Sequence, residues 1–264
     1  MSETYFARGG KGDLYKLPPR KTPPTNDWGD LDGLEVDLSR PVWGSLTMDL
    51  SFVVGADASR RFAGDPGSVL DPAAWAALSG DAPTEMIPVR HRLREVTAFR
   101  FHRDASLAEL TCSYEVPDPM EVWALYEEPS LPAVTLATLA PQRVTLSGVD
   151  LGEMGIGVLS YYDSALRPRS PKEGRYLADS IHRQGRILRP DKTPCLRAGV
   201  VEVACVIPHG GDERRVQGSL AMLSALITKP GEQLLNGRAC YYSEMTDCRL
   251  TRSRFYFTLR LQMI

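Results

Sequence analysis

The segment with the composition of a phosphate-binding loop is the glycine-rich run from Gly148 to Gly157. Backbone N–H groups of such a loop can hold phosphate when positive charge lies beside them. The charged side chains inside this run are Asp150 and Glu153, which would repel phosphate. We therefore interpret the run as tight turns between short strands.

Metal or redox chemistry would need histidines or cysteines at ligand or disulfide spacing. The four histidines are scattered, and the five cysteines form no CxxC pair. The residues are His91, His102, His182, His209, Cys112, Cys195, Cys205, Cys240 and Cys248. We expect no metal site and five reduced thiols, of which Cys112 and Cys205 lie in apolar strands and behave as small buried hydrophobes.

Catalysis needs a nucleophile, a base and an orienting partner within reach of one another. The sequence contains no GxSxG, P-loop, HExxH, EF-hand or dinucleotide-binding motif. We therefore expect a protein that is not an enzyme and that has no cofactor.

A basic segment of low β-propensity runs from Leu166 to Lys192. Its cations are Arg167, Arg169, Lys172, Arg175, Arg183, Arg186, Arg189 and Lys192, against Glu173, Asp179 and Asp191. Clustered arginine could bind the phosphates of a nucleic acid. A solvated arm that pairs with acidic partners is favoured over this alternative, because Tyr176 is the lone aromatic residue available for base stacking.

The first 45 residues are rich in glycine, proline and aspartate, and the run from Leu17 to Pro24 is the densest in proline. Proline excludes a continuous helix or a central strand there. We expect an extended arm or a long ordered loop. Its Trp28 and Trp43 could stack on glycans or on a partner protein, or they could dock the arm onto its own domain.

The two halves of the chain carry opposite charge. Residues 1–140 contain 13 Lys and Arg against 21 Asp and Glu, a net charge of −8, whereas residues 141–264 contain 18 against 12, a net charge of +6. Unlike charges on different parts of a molecule favour association through unlike faces. We predict contacts between the acidic half of one molecule and the basic half of another.

Hydrophobic periodicity places the main elements of the first half. Alternation predicts a strand over 46–54, and β-propensity predicts a strand or hairpin formed by 87–101 and 110–116. Asp71 and Pro72 are suited to the start of a short helix that ends near Leu78. A second short helix is predicted over 120–128, after Asp118 and Pro119.

The second half repeats this order of elements. Short strands are predicted over 144–146 and 156–161, a longer strand over 199–207, a helix over 216–227 that stops at Lys229-Pro230-Gly231, and a terminal strand over 255–263. The order arm, strand, helix and hairpin thus occurs twice, at an offset of about 152 residues. We predict that 46–116 and 199–264 fold as similar units.

The residue order from Val144 onward also carries a resemblance. It rests on Leu146 to Leu151, Gly155-Ile156-Gly157, Pro171-Lys172, Gly185, Lys229-Pro230-Gly231, Cys240-Tyr241-Tyr242 and the alternating terminal strand. In order and spacing these residues resemble the distal-tail and baseplate structural proteins of Bacteroides-type phages and prophages.

The resemblance implies a split-barrel fold of the tail-tube kind, in hexameric rings joined by arms and continuous sheets. The acidic first half departs from it, which leaves open a trimer of two-barrel subunits. We predict a mainly β chain with a few short helices, in two tail-tube-like split β-barrel or sandwich domains over 1–140 and 141–264. The halves could be duplicates.

The predicted function is that of a structural component of a phage-type tail or baseplate, which binds copies of itself and other tail proteins. A glycan- or nucleic-acid-binding β module is the alternative. No window approaches the roughly 18 apolar residues of a membrane span, and Met1 to Lys16 lacks the apolar core of a signal peptide. We expect synthesis in the cytoplasm and assembly into a virion or tail-like particle.

Interface residues are expected in the two arms, because extended proline- and glycine-rich segments gain order when they dock onto another subunit. The candidates are Pro18, Pro19, Trp28, Arg169, Lys172, Arg183, Arg186 and Arg189.

Overall fold

The computed structural model describes residues 4–7, 9–26, 33–54, 87–102, 107–127, 143–163, 177–179, 186–188 and 196–264. Within these ranges the chain is mainly β with a few short helices, as predicted. The strands are β1 (Thr4–Phe6), β2 (Thr25–Asn26), β3 (Glu35–Val36), β4 (Leu46–Val54), β5 (Arg92–His102), β6 (Leu107–Val116), β7 (Thr145–Leu146), β8 (Val149–Asp150), β9 (Gly157–Asp163), β10 (Leu177–Asp179), β11 (Arg186–Leu188), β12 (Val200–Pro208), β13 (Gln233–Leu235), β14 (Arg238–Leu250) and β15 (Arg254–Met263). The helices are α1 (Pro119–Ala124) and α2 (Arg214–Ile227), with 3-10 turns at Gly12–Tyr15 and Leu151–Met154.

Two antiparallel sheets form the body of the described structure. The first sheet has the strand order β1-β4-β6-β5, and the second sheet has the order β8-β7-β13-β14-β15-β12-β9. Two small ladders, β2 with β3 and β10 with β11, lie outside these sheets. The β10–β11 ladder falls inside the segment that was predicted to have low β-propensity.

The two sheets share one pattern of strand pairing. The order β1-β4-β6-β5 of the first sheet is repeated as β9-β12-β15-β14 in the second, and every pair is antiparallel. Each pattern contains a bulge at the same level, between Leu93 and Glu95 of β5 and between Tyr242 and Glu244 of β14. The predicted similarity of the two units is therefore present in strand order and in the position of a bulge. The domain boundary near residue 140 stays a prediction.

Alternation and helical periodicity account for the core of the second sheet. β12 and β15 bury every second side chain, from Val201 to Ile207 and from Phe255 to Met263. The predicted apolar face of α2, Val216 to Ile227, is buried as well. The helix ends before Gly231, which has a φ of 93°. Glycine adopts this left-handed conformation at little energetic cost.

Some element boundaries differ from the prediction. α1 begins as predicted, since the Asp118 side chain accepts a hydrogen bond from the Met120 N–H at 2.9 Å, but it ends at Ala124 rather than Glu128. β5 begins at Arg92 rather than Ile87. The helix predicted over 71–78 lies outside the described residues. Among the helices that are described, none combines the length and apolarity needed to cross a bilayer.

The longest strand, β14, was not predicted from alternation. It has 13 residues, and its ladder with β15 shifts register twice, between Tyr242 and Glu244 and between Thr246 and Arg249. Each shift inserts an extra residue and moves the following side chains to the other face. The strand therefore has no continuous period of two, although it pairs along most of its length.

Buried side chains from both sheets belong to one hydrophobic cluster. Leu50 and Tyr114 enter it from the first sheet, and Val203 and Phe257 enter it from the second. The N-terminal arm contributes Leu17 to the same cluster. The arm is therefore part of the core of the molecule.

Candidate functional site

The N-terminal arm, residues 9–20, passes between the two sheets, and two glycines mark its closest contacts. A Cβ atom added at Gly10 would lie 2.4 Å from the carbonyl oxygen of Ser51 in β4. A Cβ atom added at Gly12 would lie 2.4 Å from the carbonyl oxygen of Cys248 in β14. Because neither position has room for a side chain, the arm is wedged against both sheets.

A charged cluster fixes the same part of the arm to α2. The Lys11 Nζ lies 2.6 Å from Oε1 of Glu213, and the Tyr15 hydroxyl donates to Oε2 at 2.6 Å. Burial alone would raise the pKa of Glu213, but its hydrogen bonds with Lys11 and Tyr15 and the charge of Lys11 hold it below its ordinary value. Burial raises the pKa of Tyr15, and the hydrogen bond to Glu213 adds to this rise. The ionised Glu213 carboxylate is therefore already bound by Lys11 and Tyr15, and it attaches the arm to the start of α2.

Pro18 and Pro19, which were predicted from sequence to be interface residues, follow directly after this charged cluster. Pro18 is buried and Pro19 is half-buried. The Pro19 carbonyl accepts from the Gly44 N–H at 2.8 Å, and the Arg20 N–H donates to the Ser243 carbonyl at 2.8 Å. The structure therefore packs this segment on its own chain, and a contact of Pro18 or Pro19 with another molecule stays a prediction.

Arg20 brings an unusual buried charge into the arm. Its side chain is almost fully buried, and its three guanidinium nitrogens find no hydrogen-bond partner among the described residues. The guanidinium lies 5.3 Å from the centre of the Tyr241 ring, a distance that allows a cation–π interaction. Desolvation lowers the pKa of Arg20. Among the described residues, the Tyr241 ring is therefore the one group that compensates the buried charge of Arg20.

Trp43, one of the two tryptophans considered for glycan stacking, is partly buried and packs against the core of its own chain. Its ring meets Trp123 at 4.8 Å between centroids and Tyr242 at 6.2 Å. A groove of about 640 Å³ opens beside these rings, between α1 and α2. Met120 and Met222 line it and are 57% and 40% exposed. Trp43 therefore packs the segment before β4 onto its own chain, next to an exposed surface lined by methionines.

The described cysteines and histidines have structural surroundings. Burial raises the pKa of Cys112 to about 12 and that of Cys240 to about 11, so neither is a reactive thiolate at neutral pH. The Nδ1 of His91 lies 2.7 Å from the Val89 carbonyl, and His209 accepts from the Gly211 N–H. Across the part of the chain that the structure describes, no three His, Cys, Asp or Glu residues form a metal-binding group.

β5 is an edge strand of the first sheet in the part of the chain that the structure describes. No other described strand pairs with the outer side of β5, which has 11 residues. Beyond Leu93, the side chains of Arg94, Glu95, Thr97 and Ala98 are all exposed. In the second sheet, the position equivalent to this edge is covered by β13, β7 and β8. Among the described strands, the first sheet therefore ends at β5, at the place where its counterpart is extended.

Comparison with known proteins finds a partial likeness to a solved structure. No protein-family model matches the chain, and no curated protein matches it. The solved structure of the Dit protein of phage SPP1, a hub adsorption-apparatus protein of phages that infect Gram-positive bacteria, is similar with a TM-score of 0.36 and 16% identity. The match covers 46% of this chain and 49% of that chain. A likeness of this extent leaves function to be argued from the chain's own residues.

Most of the other predicted interface residues cannot be placed. Trp28, Arg169, Lys172, Arg183 and Arg189 lie outside the described residues, and Arg186 is the first residue of β11.

Sequence reasoning missed a second group of cations, Arg249 and Arg252, which line one cleft beside the β14–β15 turn. The signal that could have found it was the net charge of +6 in the second half.

Proposed function

We propose that this chain is a structural component of a phage-type tail or baseplate that joins copies of itself into rings. It binds other tail proteins through its arms and sheet edges, and it performs no catalysis. The sequence resemblance to distal-tail and baseplate proteins suggested this function. The internal features of the molecule support it independently.

The observation that carries the proposal is the repeated four-strand unit, which is extended by three strands in the second sheet and, within the described part of the chain, ends at β5 in the first. An unpaired strand presents a row of N–H and C=O groups that can pair with a strand of another molecule. A subunit with one open and one extended copy of the same unit can add to a neighbour through strand pairing. Such additions close into rings when the rotation between subunits permits it.

The local chemistry supports a structural role for the arm as well. The most concentrated set of titratable groups around it, Lys11, Tyr15 and Glu213, is engaged internally. An arm that is held by ion pairing and by burial between two sheets fixes the subunit as one rigid unit, as ring assembly requires.

Blocking the open edge tests this proposal. A lysine at an edge strand opposes pairing with another chain, and Ala98 is exposed in β5. We expect Ala98→Lys to change the free energy of unfolding by no more than about 0.5 kcal/mol, and to reduce the mass of the assembled protein measured by light scattering. Ala124→Lys, at an exposed alanine that ends α1, is the matched control and should assemble like the wild type. Equal assembly of both variants would contradict the role of the β5 edge.

A further inference from the structure

A histidine lies in the core of the first sheet, directly before β5. His91 is 1% exposed, and it belongs to a row of alternating buried side chains with Ile87, Val89 and Leu93. We propose that His91 is an acid-sensitive switch, whose protonation releases residues 87–91 from the core while the equivalent part of the second sheet stays packed. The switch is a property of the single chain and does not require a second copy.

The ring of His91 is hydrogen-bonded on one side. Its Nδ1 lies 2.7 Å from the carbonyl oxygen of Val89. Because a carbonyl oxygen can only accept, Nδ1 carries the proton and Nε2 presents a lone pair. Nε2 is buried and finds no hydrogen-bond partner among the described residues. Protonation of Nε2 would therefore place a positive charge and an N–H group without an acceptor in the core, which is energetically costly.

The buried groups beside His91 do not supply a negative charge. Tyr114 of β6 meets the imidazole at nearly a right angle, with 5.4 Å between the ring centroids. Burial raises the pKa of Tyr114, and it raises that of Cys112 in the same strand to about 12. Both are therefore uncharged in the acid range. The buried residues of α1, Val122 and Trp123, do not titrate.

The charged residues at neighbouring positions already pair with one another. The Arg90 backbone N–H donates to Oε2 of Glu121 at 2.8 Å, and its side chain donates to Oε1 of the same carboxylate. Arg92 Nη2 donates to Oε2 of Glu115 at 2.7 Å. Because side chains alternate along an extended segment, both arginines point away from the side on which His91 is buried. Neither carboxylate is therefore placed to compensate a charge on His91.

These surroundings determine the direction in which pH acts. Burial lowers the pKa of His91 below its ordinary value of 6.5, and the hydrogen bond to the Val89 carbonyl opposes this shift only in part. When the segment leaves the core, the imidazole meets water and its pKa returns to about 6.5. The released state therefore binds the proton more tightly than the packed state does.

The packing of the segment is therefore at full strength above pH 6.5 and weakens as the pH falls below this value. The equilibrium between the packed and released states should shift by up to about tenfold for each pH unit. The shift ends where the packed form itself becomes protonated.

The ladders of the two sheets align residue by residue around this position. In the first sheet Leu93 pairs with Tyr114, and a bulge follows. In the second sheet Tyr242 pairs with Leu261, and the equivalent bulge follows. Leu93 thus corresponds to Tyr242, and Tyr114 corresponds to Leu261.

The second sheet shows that this position does not require a histidine. Two residues before Tyr242, Cys240 takes the place of His91. Cys240 is 0% exposed, and burial raises its pKa to about 11. It stays uncharged throughout the acid range, so the repeated unit packs equally well here without a group that titrates near pH 6.5. The acid sensitivity is therefore specific to the first sheet.

Release of the segment would affect two elements at once. Glu121 of α1 binds both the backbone and the side chain of Arg90, and β5 begins directly after His91. Movement of residues 87–91 would therefore break the link between α1 and the start of β5.

NMR titration of the histidine rings tests the charge state directly. In the chain labelled with ¹³C-histidine, the Cε1–H resonance of His91 is identified by its contact with the Tyr114 ring and by its loss in His91→Gln. Its midpoint should lie below pH 6.5. A midpoint at or above this value would show that the Tyr114 ring compensates the charge, and it would overturn the inference.

Hydrogen exchange measures the release itself. The exchange rate of residues 88–93 is compared with that of an unstructured chain at the same pH, at about pH 7.5 and about pH 5.5, on either side of the ordinary pKa of histidine. Protection in the wild type should fall about fivefold or more between these values. His91→Phe, which keeps a ring, and His91→Gln, which keeps a polar group, should show no such fall.

His209→Gln is the matched control, because His209 is also buried and its Nδ1 accepts from the Gly211 N–H. This variant should keep the wild-type fall in protection of residues 88–93, and residues 240–244 of β14 should show no equivalent fall in any of the proteins. Two results would contradict the switch. An equal fall in the wild type and both His91 variants would assign the acid sensitivity to other groups, and constant protection in the wild type would show that the segment stays packed.

Discussion

Replacing Leu17 with alanine is expected to lower the free energy of unfolding by about 3 kcal/mol, within the range of about 2–5 kcal/mol seen when a buried leucine is truncated. Leu17 lies in a proline-rich arm, yet its exposed fraction is 0% and it belongs to the central hydrophobic cluster. The buried Tyr242 hydroxyl donates to its backbone carbonyl at 3.4 Å. The surrounding strands cannot collapse fully into the space that the leucine leaves.

Leu159→Ala is the matched control, because this leucine of β9 is 57% exposed. Its truncation should change the free energy of unfolding by no more than about 0.5 kcal/mol. Urea unfolding of both variants is the measurement, and the slope of the transition should be unchanged. If both substitutions have the same small effect, the arm is not part of the core.

Gly12→Ala is expected to destabilise the protein by about 1–3 kcal/mol, the usual cost of forcing an extra carbon into a packed site. The new Cβ atom would lie 2.4 Å from the Cys248 carbonyl oxygen and 2.8 Å from the Arg249 Cα. Both are backbone atoms of β14, which is paired with β15, so neither can rotate away. The arm itself must shift, and the contact between Lys11 and Glu213 would weaken with it.

Gly44→Ala separates this steric effect from a general loss of glycine. A Cβ atom at Gly44 would lie 3.5 Å from the nearest atom, the Cγ of Pro19, which is ordinary contact. This substitution should be neutral or stabilise by up to about 1 kcal/mol, because alanine reduces the freedom of the unfolded chain. Thermal unfolding of both variants gives the comparison. A neutral Gly12→Ala would show that the arm is not wedged between the sheets.

The regular elements were accessible from sequence because one face of each is buried along its whole length. β15 alternates from Phe255 to Met263, and α2 repeats its apolar residues at helical spacing, so each period is visible in the residues themselves. Asp118 and Pro119 likewise identified the start of α1. In these elements local pattern and tertiary packing agree.

β14 and the arm were harder to predict for different physical reasons. The bulges of β14 interrupt its alternation, and their positions depend on the pairing with β15. The arm contains prolines and glycines that indicate irregular backbone, but they carry no information on burial. Gly10 and Gly12 have no room for a side chain because β4 and β14 approach them closely. This approach is seen only in the folded chain.

The candidate surfaces were partly accessible from the sequence. The opposite charges of the halves were visible in the composition, and they led to a prediction of head-to-tail contact. The cleft lined by Arg249 and Arg252 was not visible, because Phe6, Lys11 and Glu213 reach it from distant parts of the chain. Trp43 was correctly considered as a residue that docks the arm, since it packs on Trp123 and Tyr242.

Electron microscopy of the purified chain at 0.1 M salt tests the central claim most directly. The account predicts closed rings in class averages, with two similar lobes for each subunit because the four-strand unit occurs twice in every chain. Ala98→Lys should reduce the fraction of closed rings, and Ala124→Lys should not. Single particles of monomer size at all concentrations, in the wild type and the variants alike, would contradict the account.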